Sequence, residues 1–285
     1  MTPLEFVYTS LLKPAPLRKL ANAAIRAILP RTLQRHGATI VLNPNDPVVS
    51  GALTFGAYEL PETRFFLSVC RPGLTFLDIG ANVGYYTALA LARMRGEGRI
   101  VALEPDPENF RYLRKTIAAN QGAIATAVQK AASDHAGTMT LHTSADNRGD
   151  NRLYANELSS GLCEVRVERV DDILAGMALS EVNLIKMDVQ GYEAHVLAGM
   201  RDTIANSREL ILLSEFWPDG LRQAGSDPSM YLSGLRELGL NLYELTSGAR
   251  LIPVTDPGDL IRRFPGRRYT NVVGFKGISP DRLPA

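Results

Sequence analysis

Five short apolar runs mark the middle of the chain, Thr75–Ile79, Ile100–Glu104, Ala125–Lys130, Val182–Val189 and Glu209–Phe216. Each has the length of a strand buried on both faces. Between them apolar positions recur at three- and four-residue spacing over Tyr85–Arg93, Pro107–Asn120 and Tyr192–Met200, which predicts helices. Strand alternating with helix implies right-handed crossovers and a mainly parallel sheet covered on both faces. "LPETRFFLSV", from Leu60, predicts a helix with Pro61 in its first turn, ended by "RPG". Between the third and fourth runs, Gly137 to Val170 carries two extra strand candidates, "TMTLHTS" and "CEVRVERV", around a polar loop. "NLYELT" and "TNVVGFK" predict two last strands, separated by the loop "RLIPVTDPGDLIRRFPGRR". Before residue 50, "PLRKLANAAIRAILPRTLQRH" is helix-compatible up to Pro30 and is followed by the turn-rich "NPNDP". The expected organisation is a helical, basic extension over residues 1–50 and one α/β domain over 51–285.

Composition narrows the partners. With 31 Lys and Arg against 30 Asp and Glu, a net charge of +1 carries no signature of nucleic-acid binding. Residues 1–36 are locally basic, with Lys13, Arg18, Lys19, Arg26, Arg31 and Arg35 against Glu5. Such a segment is either a solvated helical face or a surface that docks on an anionic membrane. The sequence has no apolar run of membrane-spanning length and no signal-peptide pattern at its start, so the expected location is cytoplasmic, with contact at the inner membrane face as an option. Cys70 and Cys163 belong to no metal or disulfide pattern and read as packed thiols.

In open α/β sheets ligands bind beyond the carboxyl ends of the strands. The first run ends in Asp78-Ile79-Gly80-Ala81-Asn82-Val83-Gly84, whose glycines allow a tight turn and a close approach to a ligand. The second ends in Glu104, where a carboxylate can accept from both hydroxyls of a ribose. The turn lacks the G-x-G-x-x-G spacing of a dinucleotide site and the G-K-[ST] of a P-loop. An acid just before it suits a cationic amino group better than an anion. A ribose at one end and an amino acid at the other describe S-adenosylmethionine; a glycine turn that merely closes a βα unit is the plainer alternative.

"FLDIGANVGYYT", "VALEPDPENFRYLRKTIAAN", "LIKMDVQGYEAHVLAGM" and "LLSEFWPDGL" resemble, in order, segments of the FkbM family of S-adenosylmethionine-dependent methyltransferases, over roughly residues 51–276. The resemblance implies a Rossmann-like class I methyltransferase: a seven-stranded sheet of order 3-2-1-4-5-7-6, strand 7 antiparallel, and O-methylation of a small-molecule, glycan or glycolipid hydroxyl. Carried onto this chain, it makes Asp78, Gly80, Ala81, Asn82, Gly84 and Tyr86 the methionine-end cradle. Glu104 then takes the ribose, Pro105 and Asp106 shape its rim, and Ala132, Ser133 and Asp134 meet the adenine. The family frequently has Asp-x-Glu-Gly where this chain has Asp188-Val189-Gln190-Gly191.

Lys186 and Asp188 lie two apart in an apolar run and share one side of a strand, as a structural ion pair or as the frame of the reaction centre. A hydroxyl must lose its proton to accept a methyl group, which requires a general base or a metal-lowered pKa. The candidates are Asp188 first, cofactor-facing as well as catalytic, with Lys186 orienting it, then Glu193, His195 and Glu215. Asp188 is also a candidate magnesium ligand, without diagnostic spacing. In "SADNRGDNRLY", Asp146, Asn147, Arg148, Asp150, Asn151 and Arg152 offer hydrogen bonds to a polyol acceptor, and Tyr86, Phe216 and Trp217 offer stacking faces. The rival functions are a catalytically silent cofactor-binding scaffold and a nicotinamide-dependent oxidoreductase, the latter disfavoured by the glycine spacing. A homo-oligomer is left open.

Overall fold

The computed structural model describes residues 15–282 apart from 145–146 and 156–158. Its main sheet carries, in chain order, β3 (Thr75–Ile79), β4 (Arg99–Leu103), β5 (Ala125–Val128), β9 (Leu184–Met187), β10 (Leu210–Phe216), β11 (Asn241–Leu245), β12 (Leu251–Pro253) and β13 (Thr270–Lys276). The spatial order is β12-β11-β13-β10-β9-β3-β4-β5. Counted as seven principal strands this is 3-2-1-4-5-7-6, and β13 runs antiparallel to both of its neighbours. The addition is β12, a three-residue edge strand within what the sequence presents as a plain loop; a helix over Pro257–Arg263 follows it.

Successive strand residues alternate between two cores, as the pleat requires. Leu77, Ile79, Ile185, Met187 and Leu212 enter one, while Phe76, Leu184, Ile211, Leu213 and Phe275 enter the other. The first core is covered by helices α6 (Val170–Ala175), α7 (Glu193–Ala198), α8 (Arg201–Asn206), α9 (Pro218–Gln223) and α10 (Pro228–Glu237). The second is covered by α3 (Leu60–Val69), α4 (Tyr85–Met94) and α5 (Pro107–Ala119). The expected helix at Tyr192–Met200 is shorter, because Gly199 and Met200 leave the helix before α8 begins. The strand candidates after β5 do not join the main sheet. With β6 (Ala131–Ala132), β7 (Gly137–Thr143) and β8 (Gly161–Glu168) form a separate three-stranded sheet.

The N-terminal segment departs most from expectation. Helix α1 (Ala15–Ile28) is followed by a hairpin of β1 (Thr32–Arg35) and β2 (Ala38–Val41), then by α2 (Pro47–Thr54). The segment is therefore not all helical, and residue 50 falls inside α2. Ala38, Ile40, Leu42, Val49 and Leu53 are buried in the second core beside Phe66, Tyr86 and Leu89. The hairpin turns at His36-Gly37, both with positive φ, and β2 is tied to α5 by Asn120, whose Oδ1 accepts from Thr39 N. The early residues of the basic stretch lie outside the described chain; of the later ones, Arg35 donates to the carbonyl of Thr54.

Candidate active site

Three adjoining cavities open at the carboxyl ends of the parallel strands. The first is lined by Gly80, Asn82, Glu104, Pro105, Ala131 and Ala132, with Asp188 and Gln190 at one end. A small one lies against Asp78, Gly80, Ala81, Asn82, Tyr86, Lys186 and Asp188. The third, larger and more open, is walled by Val48, Glu59, Asp150, Arg152, Glu215 and Trp217, again with Asp188 and Gln190. Tyr58 and Asp188 line all three.

The turn after β3 shapes the small cavity. The N–H groups of Gly80 and Ala81 both donate to the carbonyl of Leu103, folding the chain back on β4. Gly80 has φ +80°, and a Cβ there would lie 2.0 Å from the carbonyl oxygen of Asp188. Asp78 is buried and accepts from Thr87 Oγ1 at 2.6 Å; burial lifts its pKa to about 6 against the pull of that hydrogen bond and of Lys186. Asn82, at φ +52°, keeps a buried Oδ1 with no hydrogen-bond partner. That orphan acceptor, on a residue lining the same small cavity as Asp78, fits an ammonium group. Gly84 faces elsewhere: its Cβ would meet Leu113 at 2.8 Å, so it serves the contact between α4 and α5.

Glu104 accepts from Asn82 N through Oε2 and from Asp106 N through Oε1, both at 2.8 Å. Burial, then the charge of Asp106, raises its pKa to about 8. Asp106 is a clamp rather than a rim. Its Oδ1 caps α5 at the N–H groups of Glu108 and Asn109, and its Oδ2 takes Arg148 at 2.6 Å and Asn151 at 2.7 Å. Both loop residues are thereby committed to positioning the wall. Asn147, Asp150 and Arg152 do face the large cavity, with Arg152 buried, paired to Asp150 and 4.6 Å from the Trp217 ring. Asp146 lies outside the described residues.

Ser133 and Asp134 turn away from the cavity that Ala131 and Ala132 line. Asp134 instead holds His195 Nδ1 at 2.9 Å and His135 Nδ1 at 2.5 Å, and these bonds outweigh burial to bring its pKa down to about 2. On its other side His195 donates from Nε2 to the Ala224 carbonyl oxygen, 3.1 Å away, and its ring stacks on Tyr192 at 4.3 Å. It belongs to a packing cluster on the face of α7 that meets Asp134 and Ala224, and lines none of the three cavities, a correction to its expected place at the reaction centre.

Lys186 is buried, 3.6 Å from Asp188 Oδ2, 3.9 Å from Glu59 Oε2 and 5.3 Å from the Tyr86 ring centre. Burial would lower its pKa, but Glu59, Asp188 and Glu215 together hold it above the ordinary lysine value. Asp188 Oδ1 accepts from Gln190 Nε2 at 2.8 Å, and the same amide lies 3.4 and 3.5 Å from the two Glu215 oxygens. Glu193 is buried beneath them and accepts from Val189 N and Gly191 N through Oε1, while its buried Oε2 has no partner. One carboxylate oxygen from each of Asp188, Glu193 and Glu215 lies within 4.8 Å of the others. Burial, then mutual repulsion, raises Glu215 well above the usual carboxylate range, and burial raises Glu193 to about 7.

Glu59, Tyr58, Lys130 and Gly149 line the cavities without having been singled out from the sequence. Glu59 precedes α3 at φ +42°, an uncommon conformation for a non-glycine residue, and accepts from Tyr86 Oη at 2.6 Å. The only signal for it is its place one residue before a helix start.

Residues 78–239, more than half of the chain, match the methyltransferase FkbM domain. The 2-O-methyltransferase NoeI of Sinorhizobium fredii is 30% identical over 155 residues, covering 48% of this chain and 62% of its own. The 31-O-demethyl-FK506 methyltransferase FkbM of Streptomyces tacrolimicus is 30% identical over 162 residues, covering 46% of this chain and 61% of its own. The chain thus spans about three fifths of each of these relatives. A solved structure of methyltransferase FkbM from Methylobacillus flagellatus aligns over 92% of this chain and 60% of that one, at 17% identity and a TM-score of 0.45.

Proposed function

The chain belongs to the FkbM methyltransferase family, and on that premise we propose that it transfers a methyl group from S-adenosylmethionine to a hydroxyl of a small-molecule or glycan-type acceptor. The observation that carries this reading is Asp188, which lines the small cavity at Asp78, the adjoining one at Glu104 and the open chamber beside Trp217. The names of both relatives specify an oxygen as the methylated atom.

S-adenosylmethionine, when bound, supplies an electrophilic methyl carbon. Asp78 and Asn82 Oδ1 would hold its amino group, Glu104 its ribose, and Ala131, Ala132, Leu141 and Leu153 one face for its adenine. The acceptor's place is the larger chamber, between Trp217 and Tyr58. Asp188, fixed by Lys186 on one oxygen and Gln190 on the other, is the carboxylate that takes the hydroxyl proton. Orientation supplies much of the remaining rate.

Two measurements test the reading. Calorimetry should detect S-adenosylhomocysteine binding to the wild type, and Asp188→Asn should keep that binding. Incubation with cofactor and pooled glycans and small polyols should give products heavier by one methylene, with Asp188→Asn slower by about 10²–10⁴-fold. No binding at high micromolar ligand, or full turnover in Asp188→Asn, would reject the assignment. Docking of residues 1–36 on anionic membranes belongs to the same proposal; no helix among the described residues is long and apolar enough to cross a membrane. Liposome flotation of the wild type and of a full-length variant with Lys13, Arg18 and Lys19 changed to Gln tests it, equal flotation of the two counting against docking.

A further inference from the structure

We propose that Asp188, Glu193 and Glu215 form a binding site for one hard divalent cation, of the magnesium or manganese type, at the junction of the two cavities. Their carboxylate oxygens approach within 4.8 Å of one another, a spacing that one ion bridging all three would close to ligand distances. A cluster of acids alone would not carry this. The second observation is Glu193 Oε2: the side chain is fully buried, its Oε1 is occupied by two backbone N–H groups, and Oε2 is left without a donor. A buried carboxylate oxygen with no partner is expensive, and a cation supplies the missing interaction.

Gln190 adds a fourth group. Its Nε2 sits between Asp188 Oδ1 and both Glu215 oxygens, donating the only positive end that a neutral side chain can offer there. Rotating the carboxamide by about 180° exchanges Nε2 for Oε1 and turns that donor into a neutral oxygen ligand. The same side chain thus serves the cluster with or without an ion. Gln190 is held for this at φ +54°, with its carbonyl accepting from Tyr154 Oη at 2.6 Å. Asp188 divides its oxygens, Oδ1 toward this cluster and Oδ2 toward Lys186, so one carboxylate can meet the ion and keep its contact with Lys186.

Binding of the ion stands on these contacts alone; its use rests on the methyl-transfer reading, where a cation beside an acceptor hydroxyl would lower that hydroxyl's pKa. Mn²⁺ is the probe, titrated into the full-length protein without cofactor or acceptor and followed by water-proton relaxation or electron spin resonance. One saturable site is expected. Glu215→Gln should weaken it about tenfold or more, and Gln190→Glu, which adds a charged ligand, should tighten it about tenfold. Circular dichroism and the melting temperature, measured on the same samples, report that both variants are folded, and S-adenosylhomocysteine binding is measured separately on the wild type. Absence of saturable Mn²⁺ binding to the wild type at millimolar ion overturns the site, as does affinity unchanged in both variants. Failure of the wild type to bind S-adenosylhomocysteine would instead count against the functional reading and leave the cation site standing.

Discussion

At Gly80 a positive φ and a neighbouring carbonyl leave no room for a side chain. The backbone conformation alone costs a non-glycine residue about 1–3 kcal/mol, and the 2.0 Å approach to Asp188 O adds a displacement of the loop that carries Asp188. Gly80→Ala is therefore expected to lower the melting temperature and to abolish S-adenosylhomocysteine binding together, whereas Gly37→Ala, with open space around it, carries only the conformational cost. Glu104 makes a second prediction through pH. Its folded pKa of about 8 stands above the ordinary 4.5, so its contribution to stability is fully present below about pH 4.5 and is lost as pH rises toward 8. Ribose hydroxyls donate to the charged form, so binding at pH 7 should expel a proton and affinity should climb with pH up to about 8. Calorimetry in buffers of different ionisation enthalpy reads this proton, and Glu104→Gln should remove it. Asp78, Glu104 and Asp188 are legible in the sequence because strand ends in a parallel sheet converge on one edge. Tyr58, Glu59 and Gly149 are not, because each reaches that edge on a loop whose course depends on packing far from it in sequence.

Among the elements, α5 shows how one carboxylate couples a helix to the site. Asp106 caps the helix through Oδ1 and holds Arg148 and Asn151 through Oδ2, while its own N–H fixes Glu104. Asp106→Ala should cost about 1–2 kcal/mol for the lost cap alone and should also weaken cofactor binding by freeing the loop at 147–151. Asp106→Asn keeps the cap and should recover most of the stability, but not the pairing with Arg148. Chemical denaturation and S-adenosylhomocysteine titration on the two variants separate these effects. The principal strands are readable because burial on both faces writes them as unbroken apolar runs. The hairpin of β1 and β2 is not: "TLQR" and "ATIV" are four residues each, and β2's anchor on α5 lies about 80 positions away. The second sheet was visible only as strands, since alternation says nothing about which strand a segment pairs with.

On the scale of the whole molecule, the N-terminal segment is part of the site rather than an attachment to it. Val48, Val49 and Ala52 wall the large open chamber, and Gly51 packs against Ile25 so closely that α1 is seated on α2. The link to the loop opposite is Asp46. It is fully buried, caps α2 by accepting from Val49 N at 2.9 Å through Oδ1, and accepts from Arg148 N at 3.1 Å through Oδ2. Burial raises its pKa to about 7, against the pull of these backbone donors, so its hold on the loop is strongest in the charged form. Asp46→Ala removes both bonds and leaves two N–H groups unpaired in a dry place. The expected outcome is faster hydrogen exchange at the Arg148 amide and loss of turnover, with S-adenosylhomocysteine affinity falling less than in Asp106→Ala, since Asp106 still holds the side chains of Arg148 and Asn151. Asp46→Asn, which retains an acceptor for one of the two donors, should fall between the wild type and Asp46→Ala. If exchange at Arg148 were the same in Asp46→Ala as in the wild type, the loop would owe its position to Asp106 alone, and the N-terminal segment would shape the chamber only through Val48, Val49 and Ala52.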